Sequence, residues 1–137
     1  MDSFGMFKVS ASALEAQRKR MNVIASNMAN VHSTRTEEGG PYKKRDIVFA
    51  AMTVESNPEN MYGVKVDDVI TDNTPPKMVY DPSHPDANKE GYVAMPDINI
   101  VEEMTNMMMA FRAYEASVSA FNMSKAMVEK ALELGKS

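Results

Sequence analysis

The residues from Ile100 to Leu134 carry an apolar repeat that constrains the fold more than any other feature. Apolar side chains recur there at alternating spacings of four and three, and nine of the ten positions in the series are apolar. This spacing is typical of the contact face between two paired helices, which we call the seam. The seam positions are Ile100, Met104, Met107, Phe111, Tyr114, Val118, Phe121, Lys125, Val128 and Leu132.

The ends of this C-terminal helix are also predicted by the sequence. Asn99, with Glu102 three residues later, has the spacing of a capping box, and Glu102 and Glu103 suit the positive end of the helix dipole. Gly135 predicts an end in a left-handed turn.

A second apolar stripe runs along the opposite side of the same helix, with polar side chains on the flanks between the two. Its members are Met109, Ala113, Ala116, Ala120, Met123 and Met127. A helix that is apolar on two opposite sides needs a neighbour on each. Because a chain of 137 residues offers few further helices, we expect other copies or other proteins to cover this inter-subunit stripe.

Residues 3–31 predict a second long helix with the same seam spacing. Its apolar seam residues include Phe7, Leu14, Met21, Ile24 and Met28. Asn30 predicts a left-handed end of this helix. The simplest arrangement is a parallel or antiparallel pairing of the two helices.

The middle of the chain shows no sustained helical period. Short strand-like runs at 47–52, 63–70 and 77–80 are separated by glycine- and proline-rich turns. The predicted fold is therefore mainly α, with long N- and C-terminal helices packed as a coiled-coil-like pair around a small β-hairpin or loop-rich insert. We divide the chain into an N-terminal helix (1–33), the insert (34–92) and a C-terminal helix (93–137).

Charge and composition exclude several classes of protein. Residues 1–45 contain eight basic and four acidic residues, a net +4, whereas the remainder contains seven and fifteen, a net −8. Such opposite charges favour end-to-end association over nucleic-acid binding. The absence of cysteine excludes a disulfide framework. No apolar run approaches the ~20 residues that span a bilayer, and the N-terminus lacks the apolar core of a cleaved secretory signal.

The residue types needed for catalysis or metal binding are present only in patterns that have simpler explanations. His32 and His84 lie in polar, turn-rich segments, and Ser83–Asp86 places the residue types of a triad too close together in sequence to form one. We therefore expect no catalytic residue, no metal, no cofactor and no small-molecule substrate. The methionines at 104, 107, 108 and 109 could bind Cu(I), but their helical spacing favours packing.

Two segments resemble the axial proteins of the bacterial flagellar rod and hook. The first is Arg20-Met21-Asn22-Val23-Ile24-Ala25-Ser26-Asn27-Met28-Ala29-Asn30, and the second runs from Gly91-Tyr92-Val93-Ala94-Met95-Pro96 through Arg112-Ala113-Tyr114-Glu115-Ala116. The short chain and the Gly-Tyr-Val turn resemble the proximal-rod members of this family. The residues that carry the resemblance are Ser26, Asn27, Ala29, Asn30, Gly91, Tyr92, Pro96, Glu103, Met104, Arg112 and Tyr114.

This resemblance implies a structural subunit of the rod, the helical shaft that crosses the periplasm and transmits motor torque. It also implies type III export without a cleaved signal peptide. The expected partners are other copies of the chain and the rod proteins FlgB, FlgF and FlgG, with FliE as a further candidate, and no membrane insertion is expected.

Two alternative functions stay open at this point. An export-linked helical binding module would form a discrete complex with one axial partner, and a periplasmic Cu(I) protein would use the methionine cluster. A further hypothesis concerns order in the free subunit. Because burial on one side leaves long helices marginal, both ends of the chain are expected to be largely disordered in the free subunit and to fold on assembly.

Overall fold

The computed structural model describes residues 3–54 and 61–136 of the chain. Met1, Asp2 and Ser137, at the outer ends of the predicted terminal segments, and residues 55–60 of the predicted insert lie outside the described residues. The elements in chain order are α1 (Ser3–Ala29), β1 (Arg45–Thr53), β2 (Tyr62–Thr71), β3 (Lys77–Tyr80), β4 (Tyr92–Met95) and α2 (Ile100–Gly135). Two long helices therefore enclose a β insert in the sequence, as predicted, and the division at 33/34 and 92/93 stays a prediction.

Helix α1 is the central layer, because it contacts α2 on one side and the β1–β2 hairpin on the other. The helices are antiparallel: Phe7 near the start of α1 contacts Phe121 late in α2, with ring centroids 5.2 Å apart. Asn27 at the other end of α1 bonds Glu103 at the start of α2. Among the described helices and strands, α2 contacts only α1, so the covered face of α2 is the one that faces α1.

The β1–β2 hairpin is held against α1 by a close approach of backbone to side chain. The strands pair antiparallel from Arg45↔Thr71 to Thr53↔Tyr62, with a register shift between Val48 and Phe49. The Ser12 hydroxyl donates to the Val9 carbonyl at 2.7 Å and accepts from the Val64 amide at 3.1 Å. A Cβ on Gly63 would lie 2.7 Å from the Ser12 oxygen, so glycine permits this approach.

The second strand pair, β3–β4, forms a two-stranded sheet separate from β1–β2. It is antiparallel from Lys77↔Met95 to Tyr80↔Tyr92, and Tyr80 and Tyr92 meet edge-on at 5.3 Å. Gly91 has φ +89°, and an added Cβ would approach a Tyr80 ring carbon to 2.9 Å. The predicted strand at 77–80 is thus present, whereas β4 is a strand that the sequence pattern does not predict.

The helix ends match the predictions at one of three places. Asn99 caps α2, because its side chain accepts from the amides of Val101 at 3.0 Å and Glu102 at 3.3 Å. The predicted left-handed ends at Asn30 and Gly135 are wrong, since neither residue has a positive φ. Asn30 instead ends α1 with its side chain, which donates to the Ser26 carbonyl at 2.8 Å.

The covered face of α2 differs from the predicted seam. Met107, Tyr114, Phe121 and Val128 are half-buried, but the alternating members of the series turn outward. Exposed predicted-seam residues include Ile100, Met104, Phe111, Val118, Lys125 and Leu132. Positions one residue earlier take the inward places, with Glu103 and Ala110 buried. Glu103 has its bonding partners on the covered side, because Asn27 of α1 and Lys44 between α1 and β1 both contact its carboxylate.

The predicted seam of α1 is more fully covered. Ile24 is buried. Four further seam residues, which recur every seven positions, are half-buried: Phe7, Leu14, Met21 and Met28. A second covered face of α1, which includes Ser12 and Ala16, faces the hairpin.

Candidate functional site

Asn27 is the centre of a buried polar cluster that joins the two helices to the insert. Its amide nitrogen donates to the Arg45 carbonyl at 2.8 Å and to Glu103 Oε2 at 3.1 Å. Its amide oxygen accepts from the Tyr42 hydroxyl and from the Arg45 backbone amide, both at 2.9 Å. All of the hydrogen-bonding groups of this side chain are used, as a buried amide requires. We call Asn27, Tyr42, Lys44, Arg45 and Glu103 the junction.

Glu103 brings a carboxylate into the junction with only 1% of its surface exposed. Lys44 Nζ lies 3.2 Å from its Oε1, and Asn106 donates to the same oxygen at 3.5 Å. Burial disfavours the charged ammonium group of Lys44. The hydrogen bond to Glu103 and the nearby carboxylates of Glu103, Glu102 and Asp46 outweigh that effect and raise the pKa of Lys44 above its ordinary value. The buried carboxylate is therefore paired with a cation.

The segment between α1 and β1 positions Tyr42 and Lys44 for these contacts. Gly39 and Gly40 have φ values of +85° and +75°, which turn the chain back toward α1. The Tyr42 amide donates to the Ser33 carbonyl at 3.0 Å, and the Tyr42 hydroxyl also lies 3.3 Å from Ser26 Oγ. The turn thus inserts Tyr42 beside the last turn of α1, and Lys44 follows against the start of α2.

The motif residues occupy several places in the structure. Ser26, Asn27 and Glu103 meet at the junction, and Asn30 ends α1. The Gly91-Tyr92 pair forms the turn into β4, and Pro96 is buried after that strand. Ala29, Met104 and Arg112 are exposed, and Tyr114 is half-buried toward α1. The junction therefore accounts for only part of the motif.

Sequence reasoning does not assign Lys44 and Arg45 to a site, although a signal is present. Considered alone, the run Lys43-Lys44-Arg45 indicates solvated or partner-facing charge, and Glu102-Glu103 indicates ordinary helix-start residues. One basic cluster in the insert and one acidic pair at the start of a helix are nevertheless complementary in charge. That complementarity is the signal from which the ion pair could be found.

The inter-subunit stripe on α2 stays largely uncovered by the chain itself. Met109, Ala116, Ala120, Met123 and Met127 are exposed, and Ala113 is half-buried. Over the 36 residues of α2 only Glu103 and Ala110 are buried. Exposed apolar area of this extent on one helix is typical of surfaces that contact other proteins.

The described residues offer little for other kinds of chemistry. No group of three or more histidine, cysteine, aspartate or glutamate side chains within 3–54 and 61–136 could hold a metal ion. His84 uses its Nδ1 to accept from the Asp86 amide at 3.0 Å, a local turn contact. No helix in the described part of the chain is long and apolar enough to cross a membrane.

Comparisons with known proteins identify both helices as parts of flagellar proteins. Residues 7–35 match the family model described as flagella basal body rod protein, and residues 89–134 match the C-terminal model of flagellar basal body rod FlgEFG proteins.

Relatives match the whole chain. The flagellar basal-body rod protein FlgC of Escherichia coli O157:H7 is 42% identical over 99% of this chain and 100% of its own length. FlgC of Bacillus subtilis is 41% identical over 99% of this chain and 100% of its own length. FlgC of Borreliella burgdorferi is 40% identical over 98% of each chain.

Proposed function

This chain belongs to the FlgC family of flagellar basal-body rod proteins, and we propose that it assembles into the rod through the exposed face of α2. The family is structural, so the chain is a rod subunit and not an enzyme. The way in which its helices contact neighbours is our proposal.

The observation that carries this proposal is the exposed inter-subunit stripe. Met109 and Met123 expose 56% and 66% of their surfaces, although both lie in the middle of a long helix. Exposed apolar surface on this scale is costly in water, and a neighbouring helix would remove it. Ala116 and Ala120 are small, so a neighbour could approach the backbone closely between the methionines. Methionine side chains would adapt to a partner of different sequence.

The family suggests which neighbours and which location to test. We propose that the stripe contacts other copies of the chain or the rod proteins FlgB, FlgF, FlgG and FliE. We further propose that the assembled shaft crosses the periplasm, transmits torque, and receives its subunits by type III export without a cleaved signal peptide. Helical assembly through both terminal helices belongs to the same proposal.

Enlarging a small residue of the stripe tests the assembly surface. Ala116→Leu should block incorporation into the rod and abolish swimming, because the added side chain keeps the neighbour from approaching α2. The soluble subunit should keep its helicity and its unfolding midpoint, since residue 116 is exposed. Rod incorporation is measured by isolating basal bodies from cells and probing them for the subunit.

A matched control adds the same side chain to another exposed position of α2. Asn122→Leu lies on a polar flank outside the stripe and should leave assembly intact. Normal motility and normal rod incorporation of Ala116→Leu would refute the proposed surface. Equal loss in both variants would mean that any enlarged side chain on the exposed part of α2 disturbs assembly, which would count against the stripe as the specific contact surface.

Order on assembly is a second part of the proposal. Because α2 has its covered side on α1 alone among the described elements, the free subunit should be folded but of low stability, and its helicity should rise on addition of rod partners. Circular dichroism of the dilute monomer measures this. Helicity that is already complete in the dilute monomer and does not rise when rod partners are added would contradict it.

A further inference from the structure

Helix α2 carries two possible seams that overlap along one line of residues. Both use Met107, Tyr114, Phe121 and Val128. The observed face completes this line with Glu103, Ala110, Ser117 and Ser124, all buried or half-buried. The alternative face completes it with Met104, Phe111, Val118 and Lys125, all exposed. A rotation of α2 about its own axis by roughly 50°, one half of the step per residue, exchanges the two faces.

The alternative face is the more apolar of the two. It would bury Met104, Phe111 and Val118, which now expose 52%, 51% and 36% of their surfaces. The observed face buries Ala110 and a carboxylate instead. Hydrophobic burial alone therefore favours the alternative face, and a specific interaction must hold α2 in the observed one.

Among the polar residues of the observed face, only Glu103 forms a hydrogen bond with α1. Ser117 and Ser124 donate to carbonyls of their own helix, Ala113 at 2.8 Å and Ala120 at 2.9 Å. These hydroxyls would remain bonded after a rotation. Glu103 is different, because Asn27 of α1 and Lys44 of the insert both bond its carboxylate.

We propose that the Glu103 carboxylate selects between two seams of α2, and that loss of its Lys44 partner lets the helix roll onto the alternative seam. A buried charge is tolerated only while it is paired, and such pairs are best known for fixing the register of packed helices. Without Lys44, the carboxylate moves toward solvent. Met104, Phe111 and Val118 turn inward, and Ala110 and Ser117 turn outward. The junction thereby decides which side chains α2 presents to a neighbour, whatever that neighbour is.

The chain lacks cysteine, so single introduced thiols report the rotation without interference. Ala110→Cys reports the observed face, where residue 110 is 0% exposed, and Phe111→Cys reports the adjacent position, which is 51% exposed. Each is made in the full chain with and without Lys44→Met. The rate of reaction with a maleimide is measured at a dilution where light scattering shows a monomer. Phe111→Cys removes one apolar side chain of the alternative seam. This substitution therefore makes the rotation expected with Lys44→Met less favourable, not more.

With Lys44 present, the thiol introduced at position 111 should react at least about tenfold faster than the one at position 110, because a buried thiol reacts only during local opening. With Lys44→Met the order should reverse. Adding Glu103→Leu to Lys44→Met removes the carboxylate as well and should leave the order reversed, because hydrophobic burial then decides between the two faces. Lys130→Met, which removes an exposed ion pair with Glu133, should change neither rate.

Two results would overturn the proposal. The first is an unchanged order of reaction in Lys44→Met, which would mean that the ion pair does not select the face. The second is fast reaction of both introduced thiols in that variant, which would mean that the helices separate rather than roll. A return to the original order when Glu103→Leu is added to Lys44→Met counts in the same direction, because no carboxylate would then be left to hold the observed face.

Discussion

Asn27 and Glu103 are 76 positions apart in the chain, yet the Asn27 amide donates to the Glu103 carboxylate at 3.1 Å inside the protein. The Asn27 side chain also bonds the backbone of Arg45 twice: its nitrogen donates to the Arg45 carbonyl, and its oxygen accepts from the Arg45 amide. One side chain therefore ties the end of α1, the start of β1 and the start of α2 together. This is the only place in the described structure where hydrogen bonds from one residue reach all three.

Removing the Asn27 side chain should destabilise the whole subunit. Asn27→Ala leaves the Arg45 backbone groups and one oxygen of Glu103 without their partner inside the protein, and leaves the Tyr42 hydroxyl only its contact with Ser26. We expect the free energy of unfolding to fall by about 2–4 kcal/mol, because buried polar groups without partners are costly. Urea unfolding followed by circular dichroism measures this loss.

The control for this variant is in the same helix. Asn22→Ala makes the same chemical change at an exposed position, where surface substitutions cost about 0.5 kcal/mol or less. A similar loss in both variants would show that the Asn27 contacts add nothing beyond the change in helix residue.

The elements of the fold were predictable because each has a strong local pattern. The helices at 3–31 and 100–134 match α1 and α2 within about two residues at each end, and the strand-like runs match β1, β2 and β3. β4 was missed because its four residues, Tyr92–Met95, have no pattern of their own. They become a strand through pairing with β3 after the turn at Gly91.

The orientation of α2 was not predictable from its own sequence. The heptad spacing predicted the most apolar face, with Met104 and Phe111 inward. The actual face depends on Asn27 and Lys44, which are more than fifty residues away from Glu103 in the chain. Local patterns predict that a helix has a covered side, whereas the choice of side requires its partners. The membership of the FlgC family, in contrast, follows the motif residues and was confirmed by the relatives.

Gly91 should tolerate a side chain less well than Gly39, although both have positive φ. Gly91→Ala combines backbone strain with a contact of 2.9 Å to Tyr80 and 3.1 Å to Pro82. Gly39→Ala meets nothing within 4 Å, so it reports the strain alone, about 1–2 kcal/mol. Thermal unfolding should show the larger loss of stability for Gly91→Ala. Equal losses would mean that the space around Gly91 relaxes without cost.

Asp86 should stabilise the connector between β3 and β4 except at low pH. The hydrogen bond from the Thr34 hydroxyl, at 2.6 Å, and the contact with Arg35 lower the pKa of Asp86 below 3.8. A carboxylate whose pKa is lower in the folded state contributes stability above the pKa of its unfolded state. That contribution is lost as the pH falls through the lower, folded value.

The comparison between the natural chain and Asp86→Asn isolates this group. The variant should have a lower unfolding midpoint at pH 5, and the difference should shrink as the pH falls below 3.8. Asp97→Asn, at an exposed position outside the connector, should have nearly the same unfolding midpoint as the natural chain, both at pH 5 and at lower pH. A difference between the natural chain and Asp86→Asn that stays constant down to pH 2 would contradict the assignment of the effect to the Asp86 charge.

Phe7 and Phe121 should be energetically coupled, because their rings meet at 5.2 Å and 52° near one end of the helix pair. A double-mutant cycle with Phe7→Leu and Phe121→Leu should give a coupling free energy of about 0.5–1.5 kcal/mol. Phe121 lies on the line shared by both possible seams of α2, so the coupling should persist when Lys44→Met is added. Phe7→Leu combined with Tyr80→Leu is the control. Its effects should add within about 0.5 kcal/mol, because β3 contacts neither helix. A coupling near zero between the two phenylalanines would mean that the antiparallel contact does not form in solution.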